Sequence, residues 1–135
     1  MSASGFVHVD TSVWIDFFSP RPGPAGSELR RMIESAEPIA LTGIVVTEIL
    51  QGLARDAAMI ERFLAQFDLV EPAGFPTYAH AAEIYRWARS HALTLTTVDA
   101  LIAALAIENG LQLFTVDKDF ARLARWVPLE LYAAV

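Results

Sequence analysis

The chain contains no cysteine. That absence excludes a disulfide framework, a thiolate nucleophile and a cysteine zinc site, and it is compatible with a reducing cytoplasm. Histidine is scarce, and His8, His80 and His91 show no ligand spacing. Positive charge is in deficit, with 10 basic residues against 16 acidic ones and a formal charge of −6. This argues against sequence-independent binding of nucleic acid through a globally basic surface, while leaving a local patch open. Long apolar runs are missing too. The strongest, Ala100 to Ile107, falls far short of the roughly 20 residues needed to cross a bilayer. The opening MSASGFVHVD has no basic region followed by an apolar stretch, so neither a signal peptide nor a membrane partner is expected.

What the chain does have is apolar content, 54% of 135 residues. One domain spanning residues 1–135 is the simplest organisation, large enough to bury roughly two-thirds of its unfolded surface around one core. The same excess would also suit a surface covered by an oligomer or a partner. No internal repeat, low-complexity segment or interdomain linker interrupts it.

Phe6 to Val9 reads as a buried strand ending at Asp10, and Thr11 to Phe18 as a short helix stopped by the Pro-rich Ser19–Pro24. A second helix is predicted from about Ser27 to Ser35, a strand at Ile39–Leu41 and a helix at Ile44–Leu53. Asp56 is the expected cap of a helix reaching Gln66, Leu69 and Val70 suggest a strand, and Thr77 caps a long helix to Ser90 or His91. Thr96 and Asp99 have capping-box spacing at the start of the next helix, and Gly110 sits where its end wants a left-handed residue. Strand Gln112–Thr115, helix Asp119–Arg125 and strand Leu129–Tyr132 complete the reading.

Short apolar strands alternating with helices define an α/β fold, with a mostly parallel central sheet of four to five strands covered on both faces. In such folds ligands sit beyond the carboxyl ends of the strands. Asp10 and Asp117 both follow strands, which gives them a reason to meet.

If Asp10, Glu48, Asp99 and Asp117 converge in one cleft, close enough to share one or two ions, their charges require a compensating cation. Oxygen-only ligands of high charge select hard divalent ions, Mg²⁺ or Mn²⁺, which act on phosphate esters. The implied chemistry is metal-dependent phosphodiester hydrolysis. Each acid taken alone also has a plainer role: Asp10, Asp99 and Asp117 as helix caps, Glu48 as a solvated helix residue. Asp16 is read as a surface residue of the first helix.

The segments VDTSVWIDFF around Asp10, TEILQGLAR around Glu48 and TTVDALIAALAIENGLQLFTVDKDF around Asp99 and Asp117 resemble the PIN-domain ribonucleases, specifically the VapC toxins of type II toxin–antitoxin pairs. The resemblance covers nearly the whole chain in the right order, and Thr97–Phe120 is its most specific block. It implies a PIN-like three-layer α/β/α domain in which the acids matching Asp10, Glu48, Asp99 and Asp117 surround Mg²⁺ or Mn²⁺ and the enzyme cleaves RNA. Thr11, Ser12 and Thr115 match hydroxyl positions near such a site. Many relatives carry Arg before the fourth acid where this chain has Val116, and Asp119 is an alternative fourth carboxylate. The resemblance further implies a VapB-like antitoxin and a homodimer.

For RNA, the candidate phosphate contacts are Arg21, Arg55, Arg86, Arg89 and Lys118. Trp14, Trp87 and Trp126 could stack on bases, but their helical patterns favour core packing. A PIN-like binding module without turnover and an RNA-processing or DNA-directed nuclease are the competing readings.

Overall fold

The computed structural model describes residues 5–133. Its centre is β1 (Val7–Val9), three residues buried on every side. β1 pairs in parallel with β2 (Ile39–Thr42) and with β4 (Gln112–Phe114), in the registers Val7 to Ile39 and Val9 to Phe114. β3 (Asp68–Val70) extends the sheet beyond β2, and β5 (Glu130–Leu131) extends it beyond β4, again in parallel. The order β3-β2-β1-β4-β5 means the chain winds outward one way from β1, then returns to wind the other way. The switch point lies between the carboxyl ends of β1 and β4, where Asp10 and Thr115 emerge.

Helices α1 (Thr11–Phe18), α2 (Pro24–Glu34), α3 (Gly43–Gly52), α4 (Ala57–Leu64), α5 (Phe75–Ser90), α6 (Thr97–Glu108) and α7 (Lys118–Leu123) make the crossovers. A 3-10 turn, Ala54–Asp56, precedes α4. The α6 sequence is apolar on nearly all sides, and residues on every side of it are buried, from Ala100 to Ala106. Gly110 follows it with φ +62°, the left-handed conformation that glycine adopts without strain. No helix among the described residues is long and apolar enough to cross a membrane.

Several expectations change. Asp16 is half-buried rather than a surface residue. Its carboxylate accepts the backbone N–H of Gly23 at 3.1 and 3.0 Å and that of Gly26 at 2.7 Å. It thereby supplies the acceptors that the first N–H groups of α2 lack within the helix. That anchor, with Pro at the first turn, lets α2 start at Pro24 instead of Ser27. A Cβ on Gly26 would lie 2.8 Å from both Asp16 Oδ2 and Phe17 N, so only glycine allows the approach. Asp16→Ala is expected to destabilise the fold by about 2 kcal/mol in chemical denaturation, because it orphans charge-assisted bonds at a helix start.

Thr77 does not cap α5, which begins at Phe75 behind Gly74. Its hydroxyl is buried, accepting from Ala73 N–H at 2.9 Å and donating to Glu108 Oε1 at 2.6 Å. His80 Nδ1 meets the other Glu108 oxygen at 2.7 Å. The start of α5 is therefore tied to the end of α6, and the pair runs antiparallel. The end of α5 consequently lies beside the start of α6, where Asp99 sits. Asp56 occupies the capping position of α4 without a side-chain bond.

Trp14 is fully buried, packed against Phe17, Phe18, Phe63 and Phe67. Trp87 is half-buried. Trp126 is 67% exposed and is not a core residue, because it lies beyond the last turn of α7 where no element covers it.

Candidate active site

Parallel pairing of β1 with β4 sets the site. The ladder continues one residue past β1, with Asp10 N–H donating to the Phe114 carbonyl at 2.8 Å. This places the Asp10 side chain beside Thr115. Asp10 is only 7% exposed, and its Oδ2 accepts hydrogen bonds from Thr115 Oγ1 at 2.9 Å and Ser12 Oγ at 3.0 Å. Burial pushes its carboxyl above the usual carboxylate range, the Thr115 and Ser12 hydroxyls pull back, and the Asp99 charge pushes up again. Asp10 and Asp99 therefore share one electrostatic environment.

Thr115 also accepts the backbone N–H of Asp117 at 3.0 Å, so a single hydroxyl links the two acids that follow strands. Asp117 caps α7, its Oδ1 accepting Asp119 N–H at 2.9 Å. Asp119 itself is paired with Arg122 at 3.0 Å. On the other side of Asp10, Thr11 Oγ1 donates to Glu48 Oε1 at 2.6 Å, which brings α3 to the start of α1. Asp99 makes the complete capping box with Thr96, at 3.1 and 3.0 Å. Thr11, Ser12 and Thr115 thus orient acids, a role more specific than a general hydroxyl contact.

The four acids do not form a ready-made ion cage. Among the described residues no three Asp, Glu or His side chains lie close enough to hold an ion as they stand. Glu48 is engaged by Thr11, Asp99 by Thr96 and Asp117 by its own helix. Arg21, Arg55, Arg86, Arg89 and Lys118 are all exposed, and Arg86 lines a shallow cavity between α5 and α6 with Tyr78, Tyr85, Thr97 and Leu101.

Sequence reasoning missed Asp16 and also His8. His8 is fully buried, Nε2 lying 3.0 Å from Thr42 Oγ1, and burial lowers its pKa to about 4. Its position in a strand covered on both faces was the available signal.

A doubly wound parallel sheet with a buried carboxylate at its switch point and further acids on adjoining helix starts defines a carboxylate-centred α/β domain. The PIN domain pattern matches residues 7–125. A VapC ribonuclease of Mycobacterium bovis is 34% identical over 126 residues, 90% of this chain and 94% of that protein. The solved complex VapBC2 from Rickettsia felis, bound to a DNA fragment from its promoter, gives a TM-score of 0.72 at 18% identity, covering 95% of this chain and 99% of that one. A toxin–antitoxin complex from Klebsiella pneumoniae gives 0.65 at 25% identity, covering 93% and 99%. The chain belongs to the PIN-domain family, and it is similar to the VapC ribonucleases within it.

Proposed function

We propose that this chain is the toxin of a type II toxin–antitoxin pair, a cytoplasmic metal-dependent endoribonuclease held in check by a VapB-like antitoxin and acting as a homodimer. The observation that carries the reading is Asp10. A carboxylate buried at the switch point, with its charge disfavoured by burial and by Asp99, is a poor structural choice but a good cation ligand. VapC-type relatives that match nearly the whole chain supply the substrate class.

The donor set fits a hard ion, being all oxygen and highly charged. Metal dependence is general to this family; Mg²⁺ or Mn²⁺ is the choice the donors favour here. Asp10, Glu48, Asp99 and Asp117 would hold it, with Asp119 disfavoured as the fourth acid by its pairing with Arg122. Such an ion supplies Lewis-acid polarisation of a phosphoryl oxygen and a nucleophilic water at neutral pH. The protein's own contribution is orientation. Ser12 and Thr115 fix the Asp10 carboxylate, Thr115 also fixes the Asp117 backbone, and Thr11 holds Glu48 against the start of α1. Arg86 and Lys118 are the basic residues assigned to phosphate contact.

The test is cleavage of RNA by the full chain with Mg²⁺ or Mn²⁺, beside Asp10→Asn and Asp99→Asn. Cleavage is expected from the wild type alone, and none after chelation. Cleavage that survives chelation or both substitutions would sink the metal mechanism. Binding of RNA without any turnover would point instead to a PIN-like binding module.

A further inference from the structure

We propose that Trp126 and His91, seated against Trp87, form a platform on which an unpaired base of the RNA substrate stacks beside the acidic cleft. This rests on the ribonuclease reading above and adds where and how that substrate is gripped.

The rings are already ordered with respect to one another. His91 lies on Trp87 with centroids 4.0 Å apart and planes 14° apart. Its Nδ1 is 2.9 Å from the Trp87 carbonyl oxygen and 3.0 Å from Ser90 Oγ; a carbonyl accepts only from a protonated nitrogen, so the imidazole is held in one orientation. Trp126 stands 6.1 Å from Trp87 and 6.5 Å from His91, tilted by 44° and 35°. Trp87 is half-buried, while His91 and Trp126 are exposed. The result is a half-buried ring that supports two solvent-facing ones. A fold gains little from this arrangement, because Trp126 leaves two-thirds of its surface in water.

The platform sits at the working end of the molecule. The Glu108 ties make α5 and α6 antiparallel, so the end of α5, where Trp87 and His91 lie, is the end at which α6 begins with Asp99. Trp126 closes the turn after α7, the helix capped by Asp117. Nine residues separate Asp117 from Trp126, about 13 Å if the rise is helical throughout. A single strand crossing the acids therefore reaches the rings within a few nucleotides. Arg125, exposed beside Trp126, supplies a cation for a flanking phosphate.

Stacking also resolves a difficulty in the charge. A chain of formal charge −6 gains little from a general attraction for a polyanion, whereas every base has a π-face that an aromatic ring can use without net charge.

The test uses the full chain and a short single-stranded oligoribonucleotide of mixed sequence. In steady-state cleavage, Trp126→Ala is expected to raise KM roughly 5- to 100-fold with kcat nearly unchanged, and Trp126→Phe to restore most of the loss. Trp126 is exposed, so the core is untouched by either change. Independently of turnover, the oligoribonucleotide is expected to quench tryptophan fluorescence in the wild type and much less in Trp126→Phe. An unchanged KM in Trp126→Ala, or quenching that persists in Trp126→Phe, overturns the platform. So does a variant whose oligomeric state shifts while KM stays fixed, which would assign the rings to contact between copies. A wild type that quenches but does not cleave sinks the ribonuclease reading and leaves RNA stacking standing.

Discussion

Asp10→Asn is expected to lower RNA cleavage on the order of 10³-fold while leaving the metal-free protein as stable as the wild type or more so. The two halves follow from one fact, the burial of a carboxylate at the end of the central strand. Asparagine keeps an oxygen that accepts from Ser12 and Thr115, so the local bonds survive, but it removes the negative charge that a cation needs. For stability the sign is fixed by the raised pKa. The folded protein keeps its Asp10 proton above the ordinary value of 3.8, where the unfolded chain has lost it, so folding weakens as pH rises through that window. The charged form of this buried side chain is then a burden on the apo fold, relieved by substitution. Thermal melts in chelator and cleavage assays with Mn²⁺ separate the effects. Activity within tenfold of wild type would remove Asp10 from the centre of the site, and a large fall in melting temperature would make it a structural residue.

How much of this could be read in the sequence depends on whether a feature is local. FVHV followed by Asp10 reads as a buried strand that delivers its acid to the carboxyl end of the sheet, and α1 runs over the predicted Thr11–Phe18. The Thr96–Asp99 capping box is a three-residue spacing and formed as such. Alternation alone gave a mostly parallel sheet of four to five strands, and all five strands pair in parallel. Features that depend on tertiary pairing were not legible. Asp16 takes its partners from a turn seven and ten residues away, which no helical period reveals. Helical spacing says that Trp126 faces somewhere, but not that α7 ends three residues earlier and leaves the ring in solvent. The bond that Glu48 accepts from Thr11 was not legible either, because it depends on how α3 meets α1. His8 is the opposite case, since the buried-strand reading of Phe6–Val9 already carried its burial, while its bond to Thr42 was not legible.

His8 gives the second large effect, a loss of about 3 kcal/mol of stability as pH falls from about 6.5 to about 4. The imidazole is fully buried in β1 and its pKa falls from 6.5 to about 4 through desolvation. Above 6.5 it is neutral in both folded and unfolded chains and costs nothing. Below 6.5 the unfolded chain takes up a proton that the folded one refuses until about pH 4, so the equilibrium moves toward unfolding across that window. The bonding agrees with the neutral form. Nε2 has Thr42 Oγ1 at 3.0 Å, whereas Nδ1 has no partner; the imidazolium would bury an unsatisfied N–H there, at greater cost than an idle lone pair. His8→Gln keeps a polar group for Thr42 and cannot titrate. Denaturant titrations in chelator at pH 7 and pH 4 should therefore show a steeper acid loss in the wild type than in His8→Gln, and equal slopes would refute the account. Other carboxylates contribute equally to both proteins and cancel in that difference. Because β1 carries His8 and Asp10 follows it directly, loss of RNA cleavage in mild acid that His8→Gln delays would reflect loosening of the strand that presents the acid, not protonation of the acid itself.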